Sequence, residues 1–134
     1  MVAVKASTEQ TGGAFNLFDV LCPADYETPL HIHYIEDVAI FVLEGALEIY
    51  WGSEKKRAHY GSYFFQPKGT PHGFRVESNS PARILYMTIP AGFDRFVSAG
   101  TMPIDKGGMI TAARHKIEIL GPLPVSKKTK GGSK

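Results

Sequence analysis

Apolar and polar positions along this chain follow the short periods of β-strands. FNLFDVL (15–21), VAIFVLEG (38–45), ALEIYW (46–51), SYFFQ (62–66), HGFRV (72–76) and ARILYMTI (82–89) are rich in aromatic and β-branched residues. Each run alternates or is continuously apolar, the signatures of half-buried and fully buried strands. Turn formers separate them: Pro29, Gly45, Gly52-Ser53, Gly61, Pro67 with Gly69, and Ser80-Pro81. Gly52-Ser53 has the length and chemistry of a two-residue hairpin turn. Short strands at this spacing predict an all-β sandwich or barrel. After Pro90 the pattern changes: GFDRFVSAG (92–100) and MITAARHK (109–116) read as short helices, and EILGPLP (118–124) as extended chain. Short C-terminal helical segments are therefore expected beside the barrel.

Length and charge refine this picture. At 134 residues and 14.7 kDa the chain is one domain in size, large enough to bury roughly two thirds of its unfolded surface. Residues 1–125 are expected to form that domain and residues 126–134 a basic, disordered tail. The net charge of +2 is set by the tail: its last eight residues, KKTKGGSK, hold four of the 15 basic side chains, leaving 11 against all 13 acidic ones. The body is thus mildly acidic. No basic stripe with interleaved aromatics accompanies the tail, so no nucleic-acid partner is expected. The one cysteine, Cys22, excludes an internal disulfide, and it is expected to be a small buried hydrophobe. The segment MVAVKASTEQ lacks the build of a secretory signal, and charged residues interrupt every apolar run well short of the ~20 residues of a membrane span. A cytoplasmic location without membrane contact is expected.

Three histidines carry the candidate chemistry. His31 and His33 are two apart on an expected strand, so their side chains leave the same face. His72 begins another strand directly after a Pro/Gly turn. Neutral imidazoles bind borderline divalent ions, and three of them leave coordination positions open. A histidine pair alone is weak evidence; the third imidazole and its turn strengthen it. His59, beside a turn, and His115, in the second expected helix, are expected on the surface, and Trp51 is expected in packing or an oligomer contact.

In spacing, the sequence resembles the cupins. Their first motif runs glycine, five residues, His-x-His, three or four residues, glutamate, six residues, glycine; His31, His33 and Gly45 match in register. The second runs glycine, five residues, Pro-x-Gly, two residues, His, three residues, Asn; Gly61, Pro67, Gly69 and His72 match. PLHIHYIEDVAIFVLEG, FFQPKGTPHGFR, IPAGFDRF and EILGPLP are similar to small single-domain cupins related to quercetin dioxygenases. The resemblance implies a jelly-roll β-barrel enclosing a metal and substrate pocket, with His31, His33 and His72 as ligands of Fe, Ni, Mn or Zn. Small cupins usually pair, so a homodimer is expected.

The departures from the motifs bear on chemistry. The family's metal-ligating glutamate, which can also act as a base, is Val38 here; the second motif's asparagine is Val76, and the first motif's opening glycine is Asp25, a residue type that tolerates left-handed backbone. From His33 to Val38 is an odd step, so the strand must break its alternation if both face the pocket. Glu36 then shares the parity of Val38 and is a candidate to lean in from the rim, Asp37 points away, and for both acids the plainer expectation is a solvated loop. Alternation places Val38, Ile40, Val42, Phe74 and Val76 inward, where they serve as core or as an apolar wall for a small ligand. Such a wall suits an aromatic or enol-type molecule better than a sugar phosphate. Three-histidine cupins occur among iron dioxygenases. The expected functions are therefore a dioxygenase-like metalloenzyme, a non-catalytic small-molecule-binding barrel with a weakened or lost metal site, or a decayed site kept for its fold.

Overall fold

The computed structural model describes residues 1–77, 79–97 and 116–124. Its strands are β1 (Val2–Ala6), β2 (Asn16–Cys22), β3 (Leu30–His33), β4 (Asp37–Glu44), β5 (Ala46–Trp51), β6 (Glu54–His59), β7 (Tyr63–Gln66), β8 (His72–Val76), β9 (Ala82–Ile89) and β10 (Ile117–Gly121). They form two antiparallel five-stranded sheets with orders β1-β2-β9-β4-β7 and β10-β3-β8-β5-β6. Between β2 and β9 the chain changes sheet at each connection except the β5–β6 hairpin, the winding of a jelly roll.

Each central strand lies where its sequence pattern places it. In β9 every second residue from Ala82 to Thr88 is buried, and these side chains meet those of β2 and β4 on the face turned toward the second sheet. Phe18, Ile40, Val42, Leu47, Ile49, Phe74, Val76 and Ile84 form the centre of one apolar cluster between the sheets. Burying a Val, Leu, Ile or Phe side chain stabilises the fold by roughly 1.5–3 kcal/mol each.

Two strands have no counterpart in the sequence reading, and both are edges. β1 and β6 end their sheets and are largely exposed, so neither needs an apolar face. The charged side chains of EKKRAH in β6 discourage another sheet edge from pairing there. Trp51 pairs with Glu54 across the turn, which makes Gly52-Ser53 the two-residue hairpin loop. Gly45 joins β4 to β5 at φ 82°, and a Cβ there would meet the Pro81 carbonyl oxygen at 2.6 Å. Only glycine fits both constraints.

Helix is a minor part of the described residues. A single turn, α1 (Thr8–Thr11), has a capping box between Ser7 and Gln10, a spacing that the sequence carries openly. The helix expected over 92–100 is a 3₁₀ turn over Phe93–Phe96; residues 98–100 of that segment, all of the helix expected over 109–116 except Lys116, and the tail 126–134 lie outside the described residues. EILGPLP contributes to β10, which pairs with β3 and covers the strand carrying two of the histidines. Among the described residues no helix is long and apolar enough to cross a membrane.

Candidate metal centre

Two crossings at one end of the sandwich gather the histidines. β3 ends at His33 in the second sheet and β4 begins at Asp37 in the first; β7 ends at Gln66 in the first and β8 begins at His72 in the second. The odd step from His33 to Val38 is therefore a change of sheet, through a bend at residues 34–36. Gly69 donates its N–H to the His33 carbonyl oxygen at 2.8 Å, tying the second crossing to β3. Gly69 has φ 85° and Gly61 φ 88°, the left-handed backbone for which glycine is suited.

His31 and His72 are register partners on β3 and β8, and His33 lies two residues from His31 on the same face. The ligand-capable atoms of His31, His33 and His72 all lie within 4.8 Å of one another, and all three residues are buried. Their ring centroids are 4.5 Å (31–72), 5.1 Å (31–33) and 5.2 Å (33–72) apart.

Hydrogen bonds behind the rings fix which nitrogen faces the cluster. His31 Nδ1 donates to the Pro29 carbonyl oxygen at 2.7 Å, and His72 Nδ1 to the Thr70 carbonyl oxygen at 2.9 Å. A carbonyl oxygen only accepts, so each of these Nδ1 atoms carries the proton and each Nε2 a lone pair. His33 Nδ1 lies 3.0 Å from Glu36 Oε1, and an ionised carboxylate there selects the same tautomer. His31 Nε2 and His72 Nε2 are buried without a hydrogen-bond partner among the described residues, while the Tyr86 hydroxyl donates toward His33 Nε2 at 3.4 Å. Convergent imidazole lone pairs, each ring held from behind, are a donor set that fits a borderline divalent ion.

Electrostatics favour the ligand form of the rings. Burial pushes His72 down to about 4, aided by His33 and opposed by the bond to the Thr70 carbonyl. His31 is held well below its ordinary 6.5, first by burial and then by His72 and His33. Both are neutral at pH 7, so a metal has no proton to displace from either ring.

Glu36 departs from the plainer sequence expectation: it leans in, but behind the histidines rather than among them. It is not a solvated loop residue, being 1% exposed, and it stands outside the group of mutually close ligand atoms. Tyr34 and Ile35 turn to solvent in the bend while Glu36 turns in, placing its carboxylate on the Nδ1 of His33. There it orients the ring. Asp37 points away, its Oδ1 accepting the Lys68 N–H at 2.9 Å.

Val38 is fully buried, as are Ile40, Val42 and Val76; Phe74 is 6% exposed, and all five belong to the apolar cluster. Their depths differ. Val38, second in β4, and His72, first in β8, stand at the histidine end, whereas Val42 and Val76 each lie four residues further along, roughly 14 Å deeper. Asp25 adopts φ 65°, the left-handed backbone that its motif position requires, and Val76 ends β8 with its N–H on the Tyr26 carbonyl oxygen at 2.7 Å. Cys22 is buried and His59 exposed.

Residues that the motifs do not mark also stand at this end. Trp51 is register-paired with His72 and shares its face, half-exposed at the rim. Gln66 and Thr88 flank Val38 in register, and Tyr86 reaches His33. Only strand register could have found them.

The cupin domain family matches residues 18–88, more than half of the chain, and the protein belongs to the cupins. Over 86 residues it is 30% identical to quercetin 2,3-dioxygenase from Bacillus subtilis, covering 64% of this chain and 26% of that enzyme. The chain thus spans about a quarter of that relative's length. Among solved structures, KdgF from Halomonas sp. is similar with a TM-score of 0.62 at 22% identity, over 70% of this chain and 81% of that one. The polyketide cyclase RemF from Streptomyces resistomycificus has a TM-score of 0.59 at 24% identity, over 66% of this chain and 63% of that one. At these identities the two structures share the fold with this chain.

Proposed function

We propose that this cupin holds a divalent ion, Fe, Ni, Mn or Zn, through the Nε2 atoms of His31, His33 and His72, and that it acts in a dioxygenase-like manner on a small aromatic or enol-type compound. The observation that carries this reading is the anchoring of all three Nδ1 atoms, which leaves the Nε2 lone pairs convergent. When bound, the ion supplies Lewis acidity, undiminished by a carboxylate at position 38. Glu36 holds the His33 ring from behind, and Tyr86 brings a protic hydroxyl to the cluster. Val38, Ile40 and Phe74 give an apolar, water-excluding wall that favours a flat unsaturated ligand, with Val42 and Val76 supporting it from deeper in the barrel. Trp51 beside His72 offers a ring for stacking at the rim. Position 38 provides no base, so the substrate binds already ionised or loses its proton to water.

Val38 also favours a second reading, a non-catalytic small-molecule-binding barrel. Under either reading we propose a homodimer, and a cytoplasmic location fits the single cysteine of the chain. Elemental analysis of protein purified without a polyhistidine tag, with melting curves, tests the metal. The wild type is expected to retain near-stoichiometric ion and to melt higher with it, because an ion bound only to the folded state stabilises it by mass action. His72→Ala is expected to lose both effects. No melting shift with excess Ni, Zn, Mn or Fe(II) would sink the metal reading. Metal-loaded protein that binds enolic aromatics without turning them over would select the binding barrel.

A further inference from the structure

Gln66, Val38 and Thr88 form one row across β7, β4 and β9, since Val38 is register-paired with both neighbours. Side chains in one row share a face, and burial identifies it: Gln66 is 2% exposed and Val38 and Thr88 are 0%, so the row looks toward the second sheet. Gln66 Oε1 and Thr88 Oγ1 have no hydrogen-bond partner among the described residues. The other buried side-chain atoms in that state, among the described residues, are His31 Nε2 and His72 Nε2.

All four orphaned atoms fall at the same end of the sandwich. Gln66 closes β7 and His72 opens β8 across the crossing that Gly69 ties to His33. Thr88 is the penultimate residue of β9, and Val38 follows the bend after His33. A desolvated polar atom without a partner is costly, and several of them together mark a place where something else supplies the partner. Their chemistry says what that is. The two imidazole nitrogens present lone pairs, and an amide oxygen only accepts, so one cation satisfies all three. A hydroxyl both donates and accepts, so water meets the need of Thr88.

We propose that Gln66 supplies, through Oε1, the oxygen ligand that the centre lacks at Val38. The inference rests on the three-histidine metal reading and completes it from the neighbouring strand. A neutral amide in place of a carboxylate leaves the full charge on the ion, and a carbonyl oxygen added to three imidazoles gives a mixed donor set open to Mn(II) and Fe(II) as well as Ni(II) and Zn(II).

Co(II) is the probe, since its visible absorption reports the ligand set, and competition with a chelator gives its affinity. Gln66→Leu is expected to weaken Co(II) binding at least about tenfold and to change the absorption bands. Its metal-free form is expected to melt no lower than the wild type, because an orphaned acceptor is gone, and to gain less from Co(II). Gln66→Glu, which puts a charged oxygen at the same reach, is expected to bind Co(II) more tightly than the wild type and to shift the bands. An unchanged affinity and spectrum in Gln66→Leu, with binding lost in His72→Ala, would overturn the role of Gln66 and leave the histidine trio standing. Should Gln66→Leu fail to fold, Gln66→Glu decides: an affinity and spectrum identical to the wild type's count against an oxygen ligand at this position. A wild type that binds neither Co(II) nor Ni(II) overturns both readings.

Discussion

At Val38 a methyl-bearing side chain stands where a cupin carboxylate would, and its setting makes the substitution reversible in principle. Val38 is fully buried between Gln66 and Thr88, at the strand end next to the imidazoles. Val38→Glu would place an acid in a dry environment, which costs several kcal/mol at most because the group can protonate instead. With Ni(II) or Mn(II) present, coordination offsets the desolvation. The variant is therefore expected to melt below the wild type without metal and to recover most of that loss with it, binding the ion more tightly. Equal destabilisation with and without metal, read by thermal melts, would place Val38 in packing remote from any ion.

At the scale of elements, β3 and β8 are joined through a register pair whose two members, His31 and His72, are both buried and neutral. That coupling makes the metal-free fold sensitive to mild acid. Well above pH 6.5 these two imidazoles are neutral in the folded and unfolded chain alike, and the fold has its full stability. As the pH falls from 6.5 toward the His72 value of about 4, the unfolded chain binds protons that the folded chain refuses, so stability declines. The fall from His72 alone is about 3 kcal/mol across this window, and His31 acts in the same direction. Asp19, held below the usual carboxylate range chiefly by its hydrogen bond from Arg83, titrates at lower pH and leaves the window clear. Urea midpoints of metal-free protein at pH 7.5, 6 and 5 are expected to fall in that order; a flat profile would show that the rings accept protons where they stand.

At the scale of the molecule, the outer face of the first sheet is unusually aromatic. Phe41 and Tyr63 are register partners on β4 and β7, Phe65 lies two residues from Tyr63, and their exposures are 36%, 60% and 44%. β7 is also the edge of its sheet, and exposed apolar edges invite pairing unless covered. Light scattering at micromolar concentration is expected to give about twice the chain mass of 14.7 kDa. Phe65→Lys is expected to lower that mass while leaving the far-ultraviolet spectrum intact. A wild-type mass near 14.7 kDa would refute the dimer.

Much of the fold and of the trio was legible in the chain itself. Strands buried on one face or both must alternate or run apolar, so β5, β8 and β9 can be read to the residue, and two histidines at i and i+2 must share a face wherever β3 lies. Asp25 and Gly45 announce left-handed backbone because few other residues tolerate it. The edge strands β1 and β6 were not legible, because a strand with no face to bury carries no period. Parity with Val38 marked Glu36 as the acid that could lean inward and Asp37 as the one that points away; what Glu36 meets was not legible, because only the change of sheet after His33 brings its carboxylate to that imidazole. The row Gln66–Val38–Thr88 is assembled from three strands far apart in the chain, and local spacing holds no record of strand register. Tertiary structure alone decided that the site's apolar position has an amide on one side and a hydroxyl on the other.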